Sequence, residues 1–436
     1  MIKQNKNNLY LSFENQNIVV YGRVCDNYSF VNENTIKFKM DNVEFVDSER
    51  RVKVSGKINV YSNAYSIDFK EFKKGRYISF VANANVYKLN SDEVSYISNN
   101  TIAKVNNVGS KITISDNFSL SLKEKVKDFI YNKLEKSNLK YSGIAYAMIF
   151  GDTTFIDEKV EDIFRDGGIS HLLAVSGLNI TILIFIIAFI LKRLKVNKKA
   201  SFVINVLFIV IYTYFCDFTP SIVRASIMAI VKLIADLKHK PYDGLSALSF
   251  SAFLILLINQ LKMYNYSFIL SYFSVFVIIL LNFPIQKSMN KYFYKSFSDA
   301  ISLNLSIGLG LSLIQLFLFG QIPLLSMIVN IVSVPIVLYA FIYLLIIFVI
   351  VLIFPFLSSA YGVFDFAISI VVKFSNFINN FGLMIYNYNI DFSLVIIFVL
   401  FIFNISPLVF QKKELKLKQS IIMIILAIII QTKMIF

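Results

Sequence analysis

From residue 171 onward the sequence is a succession of long apolar runs, and this constrains the chain more than any other feature. In lipid, backbone polar groups have to be satisfied inside helices or closed barrels. The runs fall at about 171–191, 200–217, 221–235, 246–262, 267–283, 300–319, 324–353, 362–385, 393–410 and 419–433. Most approach the ~20 residues that a helix needs to cross a bilayer, and the third is short. Residues before 171 have a different character. With 56% of 436 residues hydrophobic and 16% charged, the chain is too apolar for a soluble domain and too polar at its start for membrane throughout.

Residues 1 to about 17 are rich in Asn and Lys and contain neither the apolar core of a signal peptide nor a span. From Ile18 to about Val105 the pattern has period two. Val52, Val54, Gly56, Ile58 and Val60 alternate with Lys53, Ser55, Lys57 and Asn59, which predicts one half-buried strand. Ile18–Val24, Ile36–Met40 and Tyr77–Val86 alternate in the same way, so a small antiparallel barrel is the natural closure. On such a barrel Tyr21, Arg23, Lys53 and Lys57, with Tyr61 and Tyr65, could stack bases and hold phosphates, although the same residues suit any solvated sheet face. Ser121 and Glu124 form a capping-box signature before an amphipathic helix, and a second short helix ends at Gly167. The apolar piece Gly143–Phe150 is too short to span and is expected on the membrane surface or the top of the membrane domain.

A formal charge of +15 suits nucleic acid or anionic lipid, but positive loops also orient multispanning proteins. Lys192, Arg193, Lys195, Lys198 and Lys199 crowd the first loop. Lys238 with Lys240, Lys287 with Lys291 and Lys295, and Lys412 with Lys413, Lys416 and Lys418 mark three more. One crossing per run places all four loops on one side, the cytoplasmic one, and the amino-terminal region outside. That orientation requires a soluble segment of about 170 residues to cross without a preceding export signal, so the loop count and the missing leader conflict. Cys25 and Cys216 are too few for a disulfide framework or a four-thiolate zinc site, and His171 and His239 leave little room for a catalytic metal.

The polar residues inside the runs are the functional candidates. His171-Leu-Leu-Ala-Val-Ser-Gly-Leu-Asn179 enters the first run, where His171 suits the headgroup boundary and Ser176 can bond back to its own helix. Arg224 follows Pro220, Lys232 and Asp236 are spaced to pair, and Lys373 lies near Asn376, Asn379 and Asn380. Their cost in lipid argues for an interior face, with snorkelling of Arg224 and Lys232 as the other reading. Asp152 beside Gly151 suits a turn.

Gly151-Asp152 followed by Gly168-Ile-Ser-His-Leu-Leu-Ala-Val-Ser-Gly-Leu-Asn179 closely resembles the signature of the ComEC family, the membrane channels of bacterial competence. Pro220-Ser-Ile-Val-Arg-Ala-Ser-Ile-Met228, Leu270-Ser-Tyr-Phe-Ser274, and Ile322–Asn330 with Pro335 resemble further family segments. The resemblance implies a polytopic α-helical membrane protein with an amino-terminal all-β, OB-like barrel. Its expected divisions are a barrel at 1–115, an amphipathic connector at 116–170 and a multispanning domain at 171–436. It implies passage of single-stranded DNA across the cytoplasmic membrane, in contact with membrane lipid. By the same resemblance Asp152, His171, Ser176, Gly177, Asn179, Arg224 and Asn330 are motif residues, and an outside DNA receptor and an ATP-driven translocase inside are partners.

Asn179 stands where the family usually has a second His, which keeps hydrogen bonding and removes any proton or metal role. The amino-terminal spans and the carboxy-terminal metallo-beta-lactamase-like domain of many members are not found in these residues, so a nuclease is expected to be a separate protein. No phosphate-cradling Gly-rich loop is present, and no cofactor is expected. Two other classes stay open at this point. One is a small-solute transporter with an extracellular β cap. The other is a membrane-bound hydrolase with His171 as base and Ser176 as nucleophile, although residues five apart share a helix face poorly.

Overall fold

The computed structural model describes residues 16–25, 29–32, 34–47, 50–54, 56–66, 76–86, 101–108, 111–114, 122–137, 139–292, 294–323, 325–386, 392–405, 419 and 423. They form two compact units. The first takes residues up to Lys133 with Asp152–Glu158 and Asn259–Asn265, and the second takes the remainder. The segment 116–170, expected as a connector, is divided between them.

In the first unit β1 (Asn17–Val24), β3 (Thr35–Val46), β5 (Lys57–Asn63), β7 (Thr101–Asn107) and β6 (Tyr77–Val86) are neighbours in that order, and β1 pairs again with β6 to close a barrel. All pairings in the closed path are antiparallel except β5 with β7, the connectivity of an OB-like barrel. Short strands β2 (Ser29–Asn32), β4 (Arg51–Lys53) and β8 (Thr113–Ile114) extend its rim. Alternation fills the interior with Ile18, Val20, Ile36, Phe38, Met40, Ile58, Val60, Phe80 and Val105, all almost wholly buried. Each such side chain contributes about 1.5–3 kcal/mol relative to exposure. The run Val52–Val60 is a correction: it is two strands, β4 on the far end of β3 and β5 on its start.

The same unit contains most of α1 (Leu122–Lys136), whose proposed cap Ser121 lies outside the described residues.

The second unit is helical. Its elements are α2 (Ser142–Phe150), α3 (Glu158–Asp166, all but its first residue), α4 (Gly177–Arg193), α5 (Lys198–Phe215), α6 (Pro220–Leu237) and α7 (Gly244–Ile258). Then come α8 (Tyr266–Met289), α9 (Lys295–Phe319), α10 (Ser326–Ile353), α11 (Gly362–Asn379) and α12 (Phe392–Ile405). Six segments among the described residues are long and apolar enough to cross a membrane: Ser170–Arg193, Lys198–Phe215, Tyr266–Met289, Ser298–Phe319, Ser326–Ile353 and Pro355–Asn379. Helix α6 has the length but carries Arg224, Lys232 and Asp236, and α7 and α12 are shorter. The run at 324–353 continues through Pro335 as one helix. The run at 362–385 ends as helix at Asn379, and Met384–Tyr386 (β10) pairs with Gln321–Pro323 (β9). The last run falls almost wholly outside the described residues.

The apolar piece before the signature, expected on the membrane surface or the top of the membrane domain, is helix α2, buried along nearly its whole length.

Candidate functional site

A buried helix ends in carbonyls that need donors, and α2 shows where the signature residues go. Gly151, at φ 73°, returns its N–H to Ala147 O at 2.7 Å. Asn179 Nδ2 donates to Met148 O at 2.9 Å, and Tyr212 Oη donates to Ile149 O at 2.8 Å. Ser176 Oγ donates to Asn179 Oδ1 at 3.1 Å, fixing which end of the amide faces Met148. Asn179 is thus the donor for a helix end, a task an imidazole N–H also performs. Asn179→Leu should cost about 1–3 kcal/mol by orphaning that carbonyl, whereas Asn179→His should retain most stability. Thermal unfolding of the purified chain in detergent tests both, and equal losses would contradict the capping role.

Against this knot lies Arg224, in α6 and only 6% exposed. Its Nη1 donates to Ser271 O at 2.7 Å, and its guanidinium carbon lies 5.9 Å from the centre of the Tyr272 ring. Tyr272 Oη in turn donates to Ser251 Oγ at 2.9 Å, and Ser271 Oγ donates to Ser221 Oγ at 3.0 Å. Arg224 Nε is buried with no hydrogen-bond partner, and no described carboxylate pairs with the group. A Cβ on Gly177, first residue of α4, would lie 3.4 Å from Arg224 Nη2. A cation and the positive end of a helix therefore share one place.

The other predicted residues are placed differently. His171 sits in a 3-10 turn, Ser170–Leu172, and is exposed on the unit; no hydrogen bond joins it to Ser176. Lys232 and Lys373 are exposed on α6 and α11, and Lys232 forms no ion pair with Asp236. Asn330 lies on α10 with Oδ1 buried and unbonded.

In the barrel unit Arg23 is held as structure. Nε and Nη2 grip Asp41 at 2.9 and 2.8 Å, and Nη2 also meets Asp152 Oδ2 at 3.2 Å. Burial raises the Asp152 pKa, but Arg23, Lys127 and the bonds from Thr154 outweigh it and hold the carboxyl at about 2. A depressed pKa contributes stability that is present above the unfolded value and lost as pH falls through the folded one. Asp152 therefore adds roughly 2 kcal/mol at neutral pH that disappears between about pH 4 and pH 2. Asp152→Asn should lower stability at pH 7 and shrink the difference from wild type at pH 2, as measured by denaturant unfolding at both values; a loss equal at both would contradict this.

Of the predicted barrel contacts, Tyr21 lies under the Arg51 guanidinium at 5.6 Å, and Lys53 and Lys57 are exposed. The Lys57 pKa is raised by neighbouring groups, first Cys25 and then Asp41 and Asp152. The sequence reading named Tyr61 but missed the two lysines beside it. Tyr61 on β5 lies between Lys37 of β3, at 5.6 Å from the ring centre, and Lys104 of β7, at 4.5 Å. Register explains it: Lys37 is opposite Tyr61, and Lys104 pairs one row away with Asn59. Lys37 comes to Tyr61 through the antiparallel β3–β5 register and Lys104 through the parallel β5–β7 pairing, neither of which alternation reveals.

A model of the competence protein family matches residues 148–413. ComE operon protein 3 of Bacillus subtilis is 27% identical over 216 residues, covering 50% of this chain and 27% of that protein. Recombination protein 2 of Haemophilus influenzae is 26% identical over 250 residues, 54% of this chain and 31% of its own length. An uncharacterized protein of Aquifex aeolicus is 29% identical over 187 residues, 42% of this chain and 44% of that one. The chain thus matches less than half the length of each of these relatives. No solved structure matches.

Proposed function

The chain belongs to the competence protein family, and from that premise we propose that its helical unit passes one strand of incoming DNA across the cytoplasmic membrane. The observation that carries this reading is Arg224. Ionisable groups in a membrane domain are costly and mark a pathway or a partner, and this arginine, near the start of α6, is buried without a described carboxylate beside the first turn of α4. Such a site favours a phosphodiester: the guanidinium supplies charge and directed donors, and the α4 amino terminus adds the positive end of its dipole. One such contact holds a phosphate loosely enough for the next to replace it, which conduction requires.

The barrel guides the strand through Lys37, Tyr61 and Lys104, where stacking and phosphate contacts tolerate any sequence, with Lys53 and Lys57 adding charge. Tyr21 and Arg23 have structural tasks and are not needed for it. The Lys-rich loops after α4, α6 and α8 face the cytoplasm and the barrel faces outward, so a DNA receptor meets it outside. An ATP-driven translocase inside draws the strand, and a separate nuclease removes its complement. Ser176 is engaged with Asn179, which leaves the hydrolase reading without a base-activated nucleophile. The test is internalisation of labelled DNA into a nuclease-protected state, with surface binding scored separately. Deletion of the gene should abolish the first and spare the second; unchanged internalisation would overturn the reading.

A further inference from the structure

Among the described residues of the helical unit, Asn330 Oδ1 and Ser333 Oγ on α10 and Ser375 Oγ on α11 are buried without a hydrogen-bond partner, as are the more distant-in-sequence Asn205 Oδ1 on α5 and Asn282 Oδ1 on α8. Ser333 and Ser375 are 0% exposed. Positions 326, 330 and 333 share one face of α10, and 375 and 379 share one face of α11, which packs against it.

The Gly167–Gly168 turn draws these faces together. A Cβ on Gly167 would lie 3.5 Å from both Ser375 Cβ and Asn379 Oδ1, and one on Gly168 only 2.6 Å from Ser326 Cβ. At this level a small cavity is lined by Asp166, Gly167, Ser326 and Asn379, among others. Asn379 Nδ2 is already engaged with Ile163 O at 3.0 Å. Further along α10, Pro335 has no N–H to offer the Ile331 carbonyl, which adds another acceptor to the same stretch.

Packing alone does not account for this concentration. Each buried unsatisfied group costs about 1–3 kcal/mol, and α10 is otherwise strongly apolar. Groups of this kind are retained where water or a hydrogen-bonding ligand reaches them. The orphaned atoms themselves are uncharged amide and hydroxyl oxygens, the one charged residue lining the cavity is Asp166, and Lys373 is exposed two residues from Ser375.

We infer that the α10–α11 seam beneath the Gly167–Gly168 turn is a water-filled polar chamber, lined by no cation, that borders the passage of the strand. Resting on the translocation reading, it assigns a role distinct from that of Arg224. The chamber offers hydrogen bonds to sugars, base edges and the water around them, and its lining presents no cation on which phosphates would stall.

The chain's only two cysteines make the test direct. In a Cys25→Ser, Cys216→Ser background that retains uptake, Ser333→Cys and Ser375→Cys are treated in cells with a small, water-soluble, membrane-impermeant thiosulfonate. Ser306→Cys, on α9, is the control: Ser306 is 0% exposed and its hydroxyl donates to Ser302 O at 2.6 Å. A solvated thiol ionises and reacts, whereas one in apolar packing is inert, so the seam variants should react at least about tenfold faster than the control. Their labelling should slow while DNA is being taken up. Labelling at the control's rate in variants that still internalise DNA overturns the chamber and leaves the translocation reading standing. Fast labelling indifferent to DNA removes the strand from the seam and overturns the proposal as stated. Unchanged uptake on deletion of the wild-type gene would sink the translocation reading separately. Asn330→Cys serves in place of Ser333→Cys should the latter not accumulate in the membrane.

Discussion

Replacing Arg224 with glutamine is expected to lower internalised DNA by about a hundredfold, equivalent to about 2.7 kcal/mol, with surface-bound DNA and membrane level unchanged. The size follows from what the group does. Its charge is unopposed by any described carboxylate, and its one protein hydrogen bond goes to a backbone carbonyl, Ser271 O. Glutamine can keep that bond but removes the charge offered to a phosphate. Lysine keeps the charge but loses the planar fork that holds the carbonyl while lying over Tyr272, so Arg224→Lys should fall between. A purely architectural role predicts another pattern: lower thermal stability and membrane level in both variants, with uptake falling only in proportion. Full uptake by Arg224→Gln at normal level would remove the residue from the path.

The second large effect lies on the α8–α9 pair. Ser298, Ser302, Ser306 and Gly310 recur every four residues along α9, and the three serines are wholly buried. At Gly310 the helices approach so closely that a Cβ would sit 2.1 Å from Val277 Cγ1 and 2.8 Å from Cγ2. Small residues at such intervals let membrane helices meet backbone to backbone. Gly310→Ala should therefore push the helices apart and lose the Val277 packing, at a cost of 1–3 kcal/mol or somewhat more in a close-packed interior, about. Protein accumulated in the membrane and its unfolding temperature in detergent should both fall. Val277→Ala should restore part of the loss in the double variant, because Val277 Cβ itself remains 3.0 Å away. Additive losses would show that the approach is not the cause.

What could be read from the sequence follows from the range of each interaction. Strand alternation is local, and it located β1, β3 and β6. It failed at Val52–Val60 because β4 and β5 keep the same inward parity, so a period-two pattern runs through the break unchanged. Hydropathy is also local and placed the long helices, but it could not show that α2 is buried along nearly its whole length. The partners of the site are distant. Arg23 meets Asp152 across 129 residues, Asn179 meets Met148 across 31 and Arg224 meets Ser271 across 47. No periodicity carries such pairings. Asp365 is a further instance: it accepts from the backbone N–H groups of Lys140 at 2.9 Å and Tyr141 at 3.0 Å, just before α2, and nothing around it in sequence announces that task.

The central claim is that one strand crosses through this protein, and strand-resolved recovery tests it most directly. Duplex DNA labelled along one strand or the other is given to cells carrying the intact gene, the deletion, or Arg224→Gln at equal membrane level. The nuclease-protected label inside is then separated into single- and double-stranded forms. The account predicts single-stranded label inside with the intact gene, little with Arg224→Gln, none with the deletion, and DNA at the cell surface in all three. Equal single-stranded label inside cells of the deletion strain would contradict it and shift the assignment to a small-solute transporter.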